Sequence, residues 1–304
     1  MTQPSLLEAI KTRVLLGDGA MGTQLQDAGL ESGHCGEAWN VDHPDRVLGI
    51  QRRYAEAGSD VLLTNTFGAC RIMLDRHGEG ARTAEINRAS VAIARQALGG
   101  RGYVLGDIGP FGGLMEPYGD ITRAAVENAF REQARALVDG GADGIIIETQ
   151  TAFEEVEIAI AAAREAGANV VIASFAFDRM ADEDDVRTMM GISPEQAAEF
   201  MARHGCDMAG LNCGTGVDMR FAADITRRYR ATCGLPVMAQ PNAGAPVLED
   251  MKVLYKQTPE EMGAGLAGLL AAGPRIVGGC CGSTPAHIAR FRQILDGKAG
   301  GPRA

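Results

Sequence analysis

Residues 143–177 read DGIIIETQTAFEEVEIAIAAAREAGANVVIASFAF, and this stretch decides the fold class. The apolar runs at 143–149 and 169–177 are typical of buried strands, and the longer segment at 152–167 has the length and pattern of a helix. Two strands joined by one helix form a β-α-β unit, in which the strands run parallel. The stretch therefore predicts a parallel sheet covered by helices.

The same unit repeats along the chain. Six more strand-like runs lie at 13–19, 60–67, 102–110, 206–214, 235–244 and 275–282. Helical segments lie between them, for example at 45–58, 122–141, 193–205 and 259–273. Eight repeats predict an α/β fold that closes into a single (β/α)8 TIM barrel. We expect one domain over residues 1–304, with its core at about 13–295 and a short flexible C-terminal tail. An open, doubly wound sheet of eight strands is the competing arrangement.

Composition narrows the classes of function. The net charge of −10 argues against binding to nucleic acid or to an anionic membrane surface, since both require a basic face. No apolar run reaches the length of a membrane span, and the N-terminus lacks the pattern of a secretory signal. We therefore expect a cytoplasmic protein whose seven cysteines stay reduced.

Reactive side chains concentrate where the predicted strands end. The residues at these ends are Asp18, Asn65, Thr66, Asp107, Glu148, Cys213, Asn242, Cys280 and Cys281. Catalytic groups of parallel barrels collect at the carboxyl ends of the strands. The sequence therefore predicts one pocket, built from six or seven turns at that end of the barrel.

The segment GGCCGSTP at 278–285 places two thiols side by side among glycines. Glycine relaxes the backbone, so Cys280 and Cys281 can turn toward the same point, and Cys213 ends a strand nearby in the barrel. Three such thiols match the ligand set of a catalytic zinc ion, which keeps one position open. A vicinal disulfide remains an alternative. His287 is either a fourth ligand or, as we favour, a histidine on the surface of a helix.

Two carboxylates end predicted strands, Asp18 in GDGAMG and Glu148 in IIIETQT. They could act as general acid and base, hold magnesium, or surround the ammonium group of a substrate. Each could instead cap the helix that follows it. The residue types leave these alternatives open.

Together, LLGDGAMGTQL, LLTNTFGA, GIIIETQT, LNCGTG, PNAG and GGCCGSTPAHI resemble the homocysteine S-methyltransferase family. The likeness runs from about residue 13 to 295, with its motifs in order. It implies a barrel domain that binds homocysteine and methylates its sulfur to give methionine. By this resemblance, Cys213, Cys280 and Cys281 bind Zn²⁺, and Asp18 and Glu148 hold the amino group of homocysteine. The backbone amides of Gly19 and Ala20 are candidates for its carboxylate.

The methyl donor is less defined. We expect betaine or another small methylated compound such as S-methylmethionine. The alternative is a split methionine synthase, in which a separate corrinoid protein brings the methyl group from methylcobalamin. Betaine enzymes of the animal type carry a tyrosine about where Gly68 lies here, and a tryptophan near Cys35, so their betaine pocket does not transfer directly. Trp39, Phe67, Phe111 and Tyr118 could form another cation-binding wall, or Trp39 could simply pack in its loop.

Two other classes of function compete with a thiol methyltransferase. A metal-dependent lyase or aldolase would use the carboxylates but would leave the three cysteines unexplained. A scaffold with structural zinc would need a fourth protein ligand. The glycine-rich helix at 262–273 could pack against the barrel or against a second subunit in a homo-oligomer. We interpret the charged segment 181–190 as a solvated turn.

Overall fold

Eight short parallel strands form one sheet in the computed structural model, which describes residues 3–181, 185–249 and 252–297. In chain order they are β1 (Leu15–Leu16), β2 (Val61–Leu63), β3 (Tyr103–Ile108), β4 (Gly144–Gln150), β5 (Val171–Phe175), β6 (Met208–Asn212), β7 (Val237–Gln240) and β8 (Ile276–Val277). Hydrogen bonds join them in the order β1-β8-β7-β6-β5-β4-β3-β2. Seven strands lie inside the predicted runs, and β4 extends one residue beyond its run, to Gln150.

Backbone and side-chain hydrogen bonds close the barrel between β1 and β2, where no strand ladder forms. The Asp60 N–H donates to the Leu16 carbonyl at 2.6 Å, and the Asp60 carboxylate accepts the Leu16 N–H at 2.9 Å. Further along the same seam, the Leu63 N–H donates to Asp18 Oδ2 at 2.8 Å. These contacts span the seam, so the prediction of a closed barrel is confirmed and the open sheet is wrong.

Helices cover the outside of the barrel. They are α1 (Leu6–Thr12), α2 (Gly22–Asp27), α3 (Trp39–Asp42), α4 (Pro44–Glu56), α5 (Arg71–Asp75), α6 (Thr83–Leu98), α7 (Arg123–Asp139), α8 (Phe153–Glu165), α9 (Pro194–Arg203), α10 (Met219–Cys233), α11 (Pro259–Ala272) and α12 (Pro285–Leu295), with one turn of 3₁₀ helix at Gly80–Arg82. Their starts follow capping rules: the Ser193 side chain accepts the Gln196 N–H, and Pro194 takes the first position of α9.

Two apolar layers fill the fold. The inner layer contains strand residues that face the barrel axis, including Val61, Leu105 and Ile172, and α1 packs against it through Leu6 and Ile10. The larger outer layer lies between the strands and the surrounding helices. One end of the barrel interior is therefore filled by apolar side chains, and the carboxyl ends of the strands are left for polar groups.

The glycines of α11 allow close packing within the barrel itself. A Cβ at Gly265 would lie 2.6 Å from Met219 Cβ on α10, and one at Gly263 would lie 2.9 Å from Arg290 Cγ on α12. Gly263 and Gly265 are thus covered by the chain itself, whereas Gly268 is exposed with nothing within 4 Å of its Cβ position.

Two hairpins extend the loops after β5 and β7. The first pairs Asp178–Arg179 with Val186–Arg187, and the second pairs Pro246–Glu249 with Lys252–Tyr255. The segment 181–190, interpreted as a solvated turn, belongs to the first hairpin, and its residues 182–184 lie outside the described residues. The predicted tail at 298–304 also lies outside them.

Candidate metal centre and substrate pocket

Three thiols meet at the mouth of the barrel. Cys213 follows β6, Cys280 and Cys281 follow β8, and both strands flank β7. The three sulfur atoms lie within 4.8 Å of one another, with Cys213 Sγ 3.9 Å from Cys281 Sγ and Cys280 Sγ 4.0 Å from Cys281 Sγ. This is the separation that thiolates bound to one metal ion require. Among the described residues no other group of cysteine, histidine or acidic side chains converges in this way.

Adjacent cysteines can share a target because β8 has already ended at Val277. The Cys280 N–H donates to the Pro241 carbonyl and the Cys281 carbonyl accepts the Ala243 N–H, so the pair is tied to the loop after β7. Gly279 leaves room for the turn, since a Cβ there would lie 2.3 Å from Ser283 Oγ. The backbone therefore bends immediately before the two thiols.

Backbone strain is concentrated at this mouth. Among the described residues, Thr149 (φ 57°) and Cys213 (φ 56°) are the non-glycine residues with positive φ. Asn212, directly before Cys213, holds Thr149: its Oδ1 accepts the Thr149 N–H at 3.0 Å, and its Nδ2 donates to Thr149 Oγ1 at 2.7 Å. Ser174 Oγ donates to the same Oδ1 at 2.6 Å. Residues in this conformation cluster at functional sites because the surrounding structure must hold them there.

Three carboxylates lie at the same end of the barrel. Asp18, Asp107 and Glu148 end β1, β3 and β4, and each is buried. Asp18 Oδ2 accepts the Leu63 N–H, whereas Asp18 Oδ1 and Asp107 Oδ1 have no hydrogen-bond partner. Neither Asp18 nor Glu148 caps the helix that follows it, since the caps of α2 and α8 are Met21 and Ala152. Buried acceptors without donors indicate that a cationic group belongs between them.

Burial raises the pKa of these carboxyl groups. The pKa of Asp18 rises to about 7 through burial, against the Leu63 N–H, which lowers it. The pKa of Glu148 rises to about 8 through burial and then through the charges of Asp18 and Cys213. The pKa of Asp107 is also raised, first by burial and then by Glu148, Asp18 and Glu37. The group is poised to lose protons when a cation arrives.

The pKa values of the three thiols diverge. Hydrogen bonds from Cys280 and Cys281 lower the pKa of Cys213, whereas the hydrogen bonds to Cys213 raise those of Cys280 and Cys281. The trio therefore favours one thiolate, on Cys213. Asn242 lies beside the trio: its Nδ2 donates to Cys213 Sγ at 3.8 Å and to the Gly214 carbonyl at 3.0 Å, and its buried Oδ1 has no partner. The donor set fits a metal that accepts three thiolates and a fourth, exchangeable ligand.

Thiols and carboxylates line one pocket of about 420 Å³. Its wall includes Gly19, Ala20, Glu37, Asn65, Thr66, Phe67, Asp107, Glu148, Thr149, Cys213, Cys280 and Cys281. Asp18 lies buried behind this wall. The Ala20 N–H already donates to Ser283 Oγ at 3.2 Å, so of the two predicted amides only that of Gly19 has no partner in the described chain.

Some expectations from the sequence are wrong. His287 is neither a ligand nor a surface residue: it is buried, its Nδ1 lies 3.1 Å from the Thr284 N–H that it accepts, and its Nε2 lies 2.8 Å from the Gln257 carbonyl. Of the two alternatives for the aromatic residues, the structure shows the packing of Trp39 in its loop and not a shared cation-binding wall. Phe67 lines the pocket, but Trp39 packs edge-on against His43, Phe111 is buried, and Tyr118 is 86% exposed.

The comparisons with known proteins agree with this geometry. The family model described as homocysteine S-methyltransferase matches residues 15–295. The chain belongs to the homocysteine S-methyltransferase family. Its membership confirms the predicted family and, with it, the methyltransferase class of enzyme.

Relatives of this family member include two named methionine synthases. The chain is 36% identical over 299 residues to that of Mycobacterium tuberculosis and 36% identical over 303 residues to that of Mycobacterium leprae. Each match covers 93% of this chain, but only 25% and 24% of those proteins. The chain thus spans about a quarter of the length of these relatives.

Solved structures confirm the fold. The metallated form of the homocysteine methyltransferase MmuM from Escherichia coli matches with a TM-score of 0.74 at 23% identity, covering 92% of this chain and 96% of that one. The carboxyl transferase domain of Rhizobium etli pyruvate carboxylase matches with a TM-score of 0.53 at 14% identity, covering 98% of this chain and 52% of that one. Among the described residues, no helix combines the length and the apolar character needed to cross a membrane.

Proposed function

We propose that this domain transfers a methyl group to the sulfur of homocysteine, using zinc bound by Cys213, Cys280 and Cys281. The observation that carries the proposal is one pocket lined by three converging thiols and by the buried carboxylates of Asp107 and Glu148, with Asp18 directly behind its wall. Zinc fits because it favours sulfur ligands and four-coordination, and a reducing cytoplasm would keep the thiols free. When bound, zinc would hold the substrate sulfur as a thiolate, the form that attacks carbon.

Three thiolate ligands support methyl transfer better than neutral histidines would. Three cysteinates give the centre a net negative charge, so a fourth sulfur keeps electron density and remains nucleophilic. Asn242 Oδ1, buried without a hydrogen-bond partner, is our candidate for the exchangeable ligand that the substrate thiol replaces. MmuM, a structural neighbour, is described in a metallated form, which supports the presence of a metal in this fold.

The carboxylates would bind the other end of the substrate. Glu148 lines the pocket and Asp18 lies behind it, and both have a raised pKa that a substrate ammonium would lower again. Asp107, which the sequence places at a strand end without a role, is a third candidate for the same group. The Gly19 amide would meet the substrate carboxylate. Much of the rate would then come from alignment of the sulfur with the donor methyl group.

Two donor classes remain as proposals. A small methylated compound, betaine or S-methylmethionine, would fit a pocket of this size. A separate corrinoid protein is the second candidate, and one observation favours it: the relatives at 36% identity are named methionine synthases, of which this chain matches only a quarter. A donor screen at fixed homocysteine separates them, using betaine, S-methylmethionine and a methylcobalamin-loaded corrinoid protein.

Removal and return of the metal test the proposal as a whole. Protein stripped with a chelator should lose methyl transfer and recover it in proportion to the zinc added back, with one zinc ion per chain. In the donor screen, the compound or protein that yields methionine identifies the methyl donor. Full activity in zinc-free protein would exclude this function.

A further inference from the structure

Glu37 forms a second, outer feature of the pocket that homocysteine binding does not use. It comes from the loop between α2 and α3, is half-buried, and lies in the pocket wall. Its Oε1 accepts the Gly68 N–H at 2.8 Å, and its Oε2 lies 3.6 Å from Cys35 Sγ. The carboxylate is therefore fixed in position rather than free in solvent.

Gly68 and Glu37 are a matched pair. A Cβ at residue 68 would lie 2.7 Å from Glu37 Oε1 and 3.2 Å from its carboxyl carbon. Gly68 does not have a positive φ, so its backbone does not require glycine. Residue 68 must instead lack a side chain because the Glu37 carboxylate occupies the space that a Cβ would fill.

The charges in the pocket do not balance with homocysteine alone. Asp18, Glu148 and Asp107 are all candidates for the single ammonium group of homocysteine, so Glu37, a further carboxylate in the wall of the same pocket, is left without a role. No lysine or arginine is part of the wall in the described chain. Phe67, directly before Gly68, adds an aromatic face that is 39% exposed. A carboxylate beside an aromatic ring is a suitable environment for an organic cation.

We propose that Glu37, held by the Gly68 N–H and flanked by Phe67, binds the cationic centre of the methyl donor, which is a sulfonium or quaternary ammonium compound. This inference rests on the proposed methyl transfer to homocysteine. In the transfer, the homocysteine thiolate forms a new C–S bond to the methyl carbon. The bond from that carbon to the donor sulfur or nitrogen breaks, and its electron pair stays on the donor atom, which becomes neutral. The product then loses its attraction to Glu37 and leaves.

Choline and its neutral isostere 3,3-dimethyl-1-butanol test the inference without requiring turnover. Their dissociation constants are measured by calorimetry on zinc-loaded protein saturated with homocysteine. Wild-type protein should bind choline about tenfold more tightly than the alcohol, as expected for a cation over a carboxylate and a ring. Glu37→Gln keeps an acceptor for the Gly68 N–H and should reduce the preference to about twofold or less.

Two further variants sharpen the result. Gly68→Ala keeps the charge but displaces it, so its preference should fall between those of wild type and Glu37→Gln. Glu31→Gln removes the same charge from an 81% exposed side chain of the same loop and should leave the tenfold preference unchanged. Equal binding of choline and the alcohol by wild type, or a preference that survives Glu37→Gln, would overturn the inference. Failure of homocysteine to bind the zinc-loaded wild type would instead contradict the proposed function itself.

Discussion

On one side of the pocket, three sulfur atoms converge from the turns after β6 and β8; on the other, three carboxylates end β1, β3 and β4. The sulfur side depends on a strained residue, Cys213, and on a bend between Val277 and Cys280. The carboxylate side also includes a strained residue, Thr149 directly after Glu148, but it takes one side chain from each of three strand ends. No lysine or arginine of the described chain lines the pocket that both sides share. We therefore propose two separate cation sites, one for a metal and one for an ammonium group.

Loss of the metal site should give the largest effect. Cys281→Ala removes one of three thiolates, so we expect zinc to be lost and methyl transfer to fall by at least about a hundredfold. Binding of homoserine, which has the ammonium and carboxylate but no thiol, should stay within about twofold of wild type, because it uses the other side of the pocket. Zinc content, turnover and calorimetry measure the three quantities. Cys233→Ala is the matched control, since this half-buried cysteine lies outside the site.

Loss of a carboxylate should weaken homocysteine binding and leave the zinc content unchanged. Glu148→Gln preserves shape but removes a buried charge, so the KM for homocysteine should rise by roughly 30-fold or more. Zinc content should remain at one per chain. Glu154→Gln, on the exposed start of α8, serves as the control. An unchanged KM would remove Glu148 from the substrate site.

Asn212 connects the two sides and should affect both. Its side chain holds Thr149, next to Glu148, and it directly precedes Cys213. Asn212→Ala removes two hydrogen bonds to Thr149 and one to Ser174, and it loosens the residue directly before Cys213, so we expect about a tenfold loss in both zinc affinity and homocysteine affinity. Competition with a chelator and calorimetry measure the two losses. A loss of affinity at one site alone would show that Asn212 does not connect the two sites.

The pH dependence should give the smallest effect and distinguish the sides again. Below their raised pKa values, about 7 for Asp18 and about 8 for Glu148, the carboxyl groups are protonated and cannot hold an ammonium group. Homoserine should therefore bind about tenfold more tightly at pH 8 than at pH 6, and Glu148→Gln should weaken this dependence. A flat profile in wild-type protein would contradict the assignment.

The sequence could predict the sulfur side better than the carboxylate side. Cysteine pairs flanked by glycines are rare, and Cys213 and Cys280 end strands that flank the same neighbour, so their convergence follows from the strand order. Asp107 was visible as a strand end, but its burial depends on the packing around β3. Glu37 lies in a loop, and only the contact with Gly68, far along the chain, reveals its position.

His287 illustrates the limit of local patterns. Its position at the start of a helix suggested exposure, because the sequence could not place Gln257 over the α12 terminus. The same holds for Asp18, which was a credible helix cap by residue type. It instead accepts the Leu63 N–H across the barrel seam, a contact that exists only once the sheet has closed.

X-ray absorption at the zinc edge, with and without homocysteine, tests the central assignment most directly. Without substrate, we predict three sulfur ligands and one oxygen or nitrogen ligand. With homocysteine, the shell should change to four sulfur ligands, and the thiol-free homoserine should leave it unchanged. A shell that stays the same on addition of homocysteine, or one with fewer than three sulfur ligands, would contradict the account.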